Sequence, residues 1–142
     1  MKIEVEKEYN VNMQIDQLWN AFTDFSRETE FWGNIRDIRI LRREGNVVER
    51  EATVGPRPFG SKTKQTITME PMKAINVKIE GESMNGSRSI DLTETGQGKT
   101  KVKICWNLEI MEVPAFVEGI VTGQLSRATD MAIEKIGIMS GR

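Results

Sequence analysis

Histidine is missing from this sequence of 142 residues, and cysteine occurs only once, as Cys105. Histidine is the commonest general base and the commonest metal ligand in proteins, and zinc sites are built mainly from cysteine and histidine. A zinc site is therefore not expected. The sequence predicts neither a metal ion nor another cofactor.

The sequence also lacks the segments that would direct a chain into or across a membrane. No apolar run approaches the ~20 residues needed to span a bilayer. The N-terminal stretch MKIEVEKEY alternates charged and apolar residues where a signal peptide would have a continuous apolar core. The single Cys105 cannot form an internal disulfide. These features predict a soluble, cytoplasmic protein without an integral membrane segment.

An excess of charge of either sign is absent too. Lys and Arg number 20 against 21 Asp and Glu, which gives a formal net charge of −1. No global field would draw such a protein to nucleic acid or to an anionic membrane, so a nucleic-acid partner is not expected. Internal repeats are likewise missing, and the length suits one domain, residues 1–142, with a core of its own.

Alternating apolar and polar residues predict strands over most of the chain. The N-terminal strand precedes two short helices and has an inward face formed by Ile3, Val5, Tyr9 and Val11. From Ile35 to Met111 about six strands are expected, with turn signals at Glu44–Asn46, Glu70–Met72, Asn85–Gly86 and Gly96–Gly98. The clearest of these strands has an inward face made of Thr100, Val102, Ile104, Trp106, Leu108 and Ile110. The loop of residues 55–61 is expected to lie over an opening.

A long amphipathic helix is predicted for residues Pro114–Ile138. Gln124 lies close to the centre of its apolar arc, where a buried amide would need hydrogen-bond partners. Two roles stay open for this side chain, a structural hydrogen bond to a neighbouring strand or a polar handle for a ligand. Gly119 and Gly123 lie on the opposite side and leave open a kink or a second subunit, so a monomer or a homodimer is expected. The arc itself contains Val117, Ile120, Val121, Leu125, Ala128, Met131, Ala132 and Ile136.

The order of these elements indicates an α+β fold. Because alternating strands need a cover for one face, a curved antiparallel sheet of about six or seven strands is expected to wrap around the long C-terminal helix, with two short helices after the first strand. Three segments carry a more specific signal: Val11–Trp19 at the first strand-to-helix junction, Phe31-Trp32 ahead of the second strand, and Gly98–Val102 entering the last strand.

These segments resemble the helix-grip (SRPBCC) superfamily of START-related and birch-pollen-allergen-like proteins, which includes polyketide cyclase/dehydrase-like and coenzyme-Q-binding members. The resemblance covers nearly the whole chain. It implies a cavity between the sheet and the long helix, of the kind in which members hold lipids, sterols, quinones, hormones or polyketides. The fold alone does not fix which of these is bound.

The first functional hypothesis is a carrier or sequestering protein for an apolar small molecule, such as a lipid, a quinone, an isoprenoid or a polyketide-like compound. On periodicity alone a filled core fits the inward-facing residues better, and the cavity follows from the resemblance. The residues expected to line it are Tyr9, Phe22, Trp32, Arg50, Gln65, Ile67, Met69, Ile79, Arg88, Ile104, Trp106, Val117, Val121, Gln124, Leu125 and Ala128.

A polyketide cyclase/dehydrase-like enzyme is the second hypothesis. It would need a proton donor or acceptor inside the pocket, and no histidine is available for that role. Arg50 and Arg88 are equally expected at the cavity mouth or in an ion pair with a carboxylate such as Glu94. The candidates for proton transfer are Tyr9, Arg50, Gln65 and Arg88.

A protein-interaction module, similar to co-chaperone-like members of the superfamily, is the third hypothesis. It would expose an apolar patch formed by Phe31, Trp32 and Phe59. The same three residues could instead close the cavity mouth or pack locally.

Overall fold

A computed structural model of the chain describes residues 1–55, 60–111 and 113–140, and for residues 139 and 140 it describes only the backbone. In this part of the chain there are short 3-10 turns at Phe25–Arg27 and Ala115–Val117. The helices are α1 (Ile15–Thr23), α2 (Glu28–Phe31) and α3 (Glu118–Ser140). The strands are β1 (Lys2–Val11), β2 (Ile35–Glu44), β3 (Val47–Val54), β4 (Ser61–Glu70), β5 (Ala74–Gly81), β6 (Met84–Gly96) and β7 (Lys99–Ile110).

These seven strands form one antiparallel sheet in the order β1-β7-β6-β5-β4-β3-β2. Strands β2 to β7 follow one another as a meander, and β1 pairs with β7 so that Lys2 lies opposite Glu109 and Val11 opposite Thr100. The curved sheet wraps around α3, with α1 and α2 inserted after β1. The predicted α+β helix-grip architecture is confirmed.

The inward face of the sheet carries the residues that alternation predicts. On β7, Val102, Ile104 and Trp106 are at most 1% exposed. Strands β3 and β4 bury Arg50 and Gln65 on the same face as their apolar neighbours. Period-two alternation identifies these residues because one face of an antiparallel sheet lies against the helices and the other meets water.

One predicted turn is wrong. Asn85 and Gly86 lie inside β6, and the chain reverses just before it, at residues 82–83. Gly86 has φ +153°, and a Cβ atom there would lie 1.9 Å from the carbonyl oxygen of Asn107 on β7. The glycine therefore marks a close approach of two backbones, which is the other common meaning of glycine in a strand.

The long helix buries a narrower stripe than its sequence predicts. Ile120 and Met131, predicted to face inward, are 60% and 51% exposed. Thr129 is fully buried instead, because its hydroxyl accepts a hydrogen bond from Nε1 of Trp106 at 3.1 Å. The buried stripe consists of Leu125, Thr129, Ala132 and Ile136.

Strand β2 is an edge strand of irregular form. Its register with β3 shifts between Arg36 and Arg39 and again between Ile40 and Arg42. Asp37, in the first shift, has a left-handed backbone with φ +54°. Strand β1, at the other edge, pairs with β7 over all ten of its residues without a shift.

Candidate functional site: a cavity beside a buried ionic cluster

A cavity of about 540 Å³ lies between α3 and one end of the sheet. This volume falls within the ~300–1,000 Å³ range of small-molecule pockets. The inward-facing residues therefore form a filled core in one part of the molecule and leave space in another. The lining residues are Gly33, Asn34, Val54, Gly55, Gly60, Ser61, Met84, Leu108, Ile110, Val113, Val121, Gln124, Leu125 and Ala128.

The lining is mostly apolar and carries no charge among the residues that the structure describes. Asn34, Ser61 and Gln124 supply the polar side chains, and none of the described lining residues is an acid, a base or a tyrosine. Ser61 is already engaged, because its hydroxyl lies 2.8 Å from that of Ser83. A neutral, largely apolar molecule fits such a lining, since an unpaired charge would lose its hydration there without compensation.

The loop after β3 contributes its two ends to this cavity. Gly55 has φ +129°, and a Cβ atom on it would lie 2.9 Å from Cα of Gly60, so the two glycines bring the loop ends together. The described ends of the loop, at Gly55, Gly60 and Ser61, line the cavity. That the loop itself lies over an opening stays a prediction. Phe59, in the middle of the loop, lies outside the described residues.

Two tryptophans fill the interior next to the cavity. Trp106 lies two residues from the lining residue Leu108 on the same face of β7, and Trp32 precedes the lining residue Gly33. Their rings meet edge to face, with centroids 5.8 Å apart and an angle of 72° between planes. Trp106 is fixed further by its hydrogen bond to Thr129 of α3. These contacts hold the two rings in the packed core next to the cavity.

Behind the tryptophans lies a buried ionic cluster of Glu28, Arg50 and Arg88. Arg50 donates to both carboxylate oxygens of Glu28, with Nη2 at 3.2 Å from Oε1, and Nη1 of Arg88 lies 3.0 Å from Oε1. Arg50 also donates through Nε to Oε1 of Gln65 at 2.8 Å. All three charged side chains are at most 4% exposed. The cluster therefore holds one carboxylate and two guanidinium groups away from water.

Electrostatics keep this cluster ionised. Burial by itself would raise the pKa of Glu28, but the charges of Arg88 and Arg50 outweigh it, and the pKa lies below its ordinary value. Burial lowers the pKa of Arg88, and Glu28 opposes that shift. Nε of Arg88 has no hydrogen-bond partner among the described residues, and its guanidinium carbon lies 4.8 Å from the ring centroid of Trp32 and 5.5 Å from that of Trp106. The aromatic faces thus compensate part of its charge.

The structure corrects the predicted partner of the two arginines. Arg50 and Arg88 pair with Glu28 and not with Glu94, and they lie inside the core instead of at a mouth. Glu28 is easy to miss because it lies in the first turn of a short helix, where acidic residues usually face solvent. Two arginines on inward strand faces are nevertheless a signal that a buried carboxylate must exist elsewhere in the chain.

Of the predicted lining residues, four on α3 border the cavity: Val121, Gln124, Leu125 and Ala128. Gln124 is exposed at its rim and not buried at the centre of the helix stripe. Its role as a handle stays a prediction. The exposed position removes the need for a structural partner.

The other predicted lining residues lie elsewhere. Ten are buried in the packed core and are absent from the described lining: Phe22, Trp32, Arg50, Gln65, Ile67, Met69, Ile79, Arg88, Ile104 and Trp106. Val117 is half-buried in the turn before α3. Periodicity finds the inward face but not the part of it that side chains leave unfilled, which explains why Asn34, Met84, Leu108 and Ile110 were missed.

Tyr9 joins β1 to α3 and does not border the cavity. Its hydroxyl donates to Oδ1 of Asp130 at 2.5 Å. Partial burial, this hydrogen bond and the negative charge of Asp130 raise the pKa of Tyr9. A phenol with a raised pKa that is already bonded to a carboxylate is poorly suited to proton transfer near neutral pH.

Phe31 and Trp32 do not form the exposed patch that an interaction module would need. They are 3% and 2% exposed.

Among the described residues, no group of three or more carboxylate, cysteine or histidine side chains is placed to hold a metal ion. No helix in this part of the chain is long and apolar enough to cross a membrane.

Solved structures with this fold come from several sources. A START superfamily protein from Mycobacterium smegmatis superposes with a TM-score of 0.76 at 15% identity, covering 93% of this chain and 94% of its own. The Zhui aromatase/cyclase from a Streptomyces species superposes with a TM-score of 0.69 at 10% identity, covering 97% of this chain and 88% of its own. Norcoclaurine synthase from Thalictrum flavum superposes with a TM-score of 0.68 at 16% identity, covering 98% of this chain and 88% of its own. At these identities the likeness shows the shared fold.

The sequence itself gives a more specific assignment. No curated protein matches it. A family model described as "polyketide cyclase / dehydrase and lipid transport" matches residues 11–134, which is most of the chain. The protein therefore belongs to the polyketide cyclase/dehydrase and lipid transport family.

Proposed function

We propose that this protein binds an apolar small molecule, of the lipid, quinone, isoprenoid or polyketide kind, in the cavity between the sheet and α3, and acts as a carrier or sequestering protein. The observation that carries the proposal is the uncharged, mostly apolar lining of a cavity of about 540 Å³. Each 100 Å² of apolar ligand surface buried there contributes about 2.5 kcal/mol before the costs of association. A molecule that fills most of the cavity would gain most from this term.

The family description names two activities, and the site favours transport over cyclisation. A cyclase or dehydrase must place a proton donor or acceptor against its substrate. The four candidates for that role lie away from the described lining. Tyr9 donates a hydrogen bond to Asp130. Arg50 and Arg88 pair with Glu28, and Gln65 accepts a hydrogen bond from Arg50. What remains in the described part of the cavity suits holding a molecule better than transforming it.

A partly blocked cavity tests this function. Ala128 lines the cavity from α3, whereas Met131, on the same helix, is 51% exposed outside it. We expect Ala128→Trp to occupy part of the space and weaken the binding of Nile red, a neutral apolar dye, while Met131→Trp binds the dye as the wild-type protein does. Circular dichroism checks that both variants are folded.

Equal dye binding by the folded Ala128→Trp variant and the wild-type protein would refute the proposal. Native mass spectrometry followed by organic extraction would then name the class of any molecule that co-purifies. Turnover of a polyketide by the wild-type protein would favour the cyclase alternative instead.

A further inference from the structure

Asn34 is the most deeply buried polar side chain in the cavity lining. The residue is 9% exposed, and its backbone carbonyl oxygen accepts a hydrogen bond from the backbone N–H of Gly55 at 2.8 Å. That bond fixes the residue between the start of β2 and the loop that follows β3. The side chain is therefore held at the cavity by backbone contacts that do not involve its amide.

The side-chain oxygen of Asn34 has no hydrogen-bond partner in the described part of the chain. This atom, Oδ1, is buried. Buried polar atoms are nearly always paired, and an exception calls for a specific explanation. As placed, this acceptor is shielded from solvent, and a turn of the amide about its last side-chain bond would present it to a molecule inside the cavity.

The lack of charged residues in the described lining limits which ligands the cavity can accept. No described residue of the lining is ionisable, and Arg50 and Arg88, which form ion pairs with Glu28, are not among the described lining residues. Arg36, near the loop ends, donates to the carbonyl oxygen of Gly55 at 2.8 Å. A carboxylate or an ammonium group would find no counter-charge among the described lining residues, which is unfavourable.

We propose that Asn34 is the specificity-determining residue of the cavity and that its ligand is an uncharged molecule with an apolar body and a hydroxyl group that donates to the Asn34 amide. This inference rests on the ligand-binding function proposed above and adds the chemical class of the ligand. Fatty alcohols and sterol-like alcohols belong to this class, whereas fatty acids do not.

Four compounds with the same alkyl chain test the proposal by displacement of Nile red: decanol, decyl methyl ether, decane and decanoate. Decanol can donate a hydrogen bond, the ether can only accept one, decane can do neither, and decanoate is charged. Asn34→Leu removes the amide at similar volume. Asn76→Leu makes the same change on an exposed residue of β5 and serves as the control.

We expect Asn34→Leu to weaken decanol binding by about 2- to 12-fold, the effect of one hydrogen bond, while the ether and decane bind as before or slightly tighter. Decanoate should bind more weakly than decanol to the wild-type protein. Asn76→Leu should change none of these affinities. Loss of all four ligands in equal proportion, or no loss of decanol, would overturn the role of Asn34.

The outcomes also separate this inference from the proposed function. If decane and decanol both fail to displace Nile red from the wild-type protein, ligand binding itself is wrong. If decane binds and the hydroxyl gives no advantage, binding stands and the assignment of Asn34 falls. Should Asn34→Leu not fold, the side-chain amide signals of Asn34 in the wild-type NMR spectrum give the same answer, since they should shift with decanol and not with decane.

Discussion

At the scale of single residues, the interior holds two guanidinium groups and one carboxylate with almost no contact with solvent. Glu28, Arg50 and Arg88 are each at most 4% exposed. Removing one partner from such a cluster leaves an uncompensated buried charge, which is worse than never having had the pair. Glu28 is the partner whose loss matters most, because both arginines depend on it.

Glu28→Gln should lower the free energy of unfolding by about 3–5 kcal/mol at neutral pH. Glu30→Gln, in the same helix, is the control, because Glu30 is exposed and pairs with the exposed Arg27; it should change stability little. Urea denaturation of the three proteins measures the difference. A Glu28→Gln variant as stable as Glu30→Gln would show that the buried cluster does not stabilise the fold.

The same cluster predicts a pH dependence. The folded pKa of Glu28 lies below its ordinary value of 4.5, so its stabilising contribution is complete above that value and is lost as the pH falls through the lower, folded pKa. The stability difference between the wild-type protein and Glu28→Gln should therefore shrink at acidic pH. Denaturation series at neutral pH and near pH 3 compare the two; a difference that stays constant would contradict the assignment.

The residues of the interior were predictable to different degrees. Alternation along β3, β4 and β6 places Arg50, Gln65 and Arg88 on the inward face, as observed. The partner of the arginines was not predictable from local pattern, because Glu28 reaches them across the fold. Asn34 was missed for a similar reason, since a residue between a helix and a strand shows no periodicity that reports burial.

At the scale of elements, two glycines with opposite surroundings show why the same residue type carries different information. Gly86 lies where β6 and β7 approach so closely that a Cβ atom would meet the carbonyl oxygen of Asn107 at 1.9 Å. Gly123 lies in the interior of α3, and the nearest atom to its added Cβ is the flexible end of Arg127 at 3.8 Å. The sequence alone predicts a turn at Gly86, and at Gly123 it leaves open a helix kink or a contact with a second subunit.

Gly86→Ala should therefore destabilise the protein, because two backbones would have to separate. Gly123→Ala should stabilise it by about 0.5–1 kcal/mol, the ordinary gain of alanine over glycine inside a helix. Thermal denaturation measures both. Loss of stability in Gly123→Ala that depends on protein concentration would instead show that a second subunit packs against this face of α3.

At the scale of the whole molecule, the filled core and the cavity divide the space between sheet and helix. The core side contains the tryptophan pair and the ionic cluster, and the cavity side contains the polar groups of Asn34, Ser61 and Gln124. The overall arrangement followed from the order and alternation of the elements. The boundary between the two regions did not, because it depends on how large side chains such as Trp32 and Trp106 pack in three dimensions.

A ligand that binds only the folded protein should raise its stability by mass action, by about 2.7 kcal/mol at a free concentration one hundred times Kd. We expect decanol to raise the melting temperature of the wild-type protein more than that of Ala128→Trp. Treatment with EDTA should alter neither the melting temperature nor this response. Differential scanning calorimetry measures both effects, and a fall on chelation would reveal a metal requirement.

The two edges of the sheet differ in a way that bears on self-association. A strand from another chain adds most readily to a long, regular row of free N–H and C=O groups. Strand β2 does not offer one, because its register shifts twice within ten residues and its backbone turns left-handed at Asp37. Strand β1 is regular throughout, but Glu4, Glu6 and Glu8 recur along one of its faces. Glu8 and Glu6 are paired with Lys101 and Lys103 of β7, so these charges are largely neutralised and oppose a second copy little. The protection of the sheet against growth therefore lies in the shape of its β2 edge.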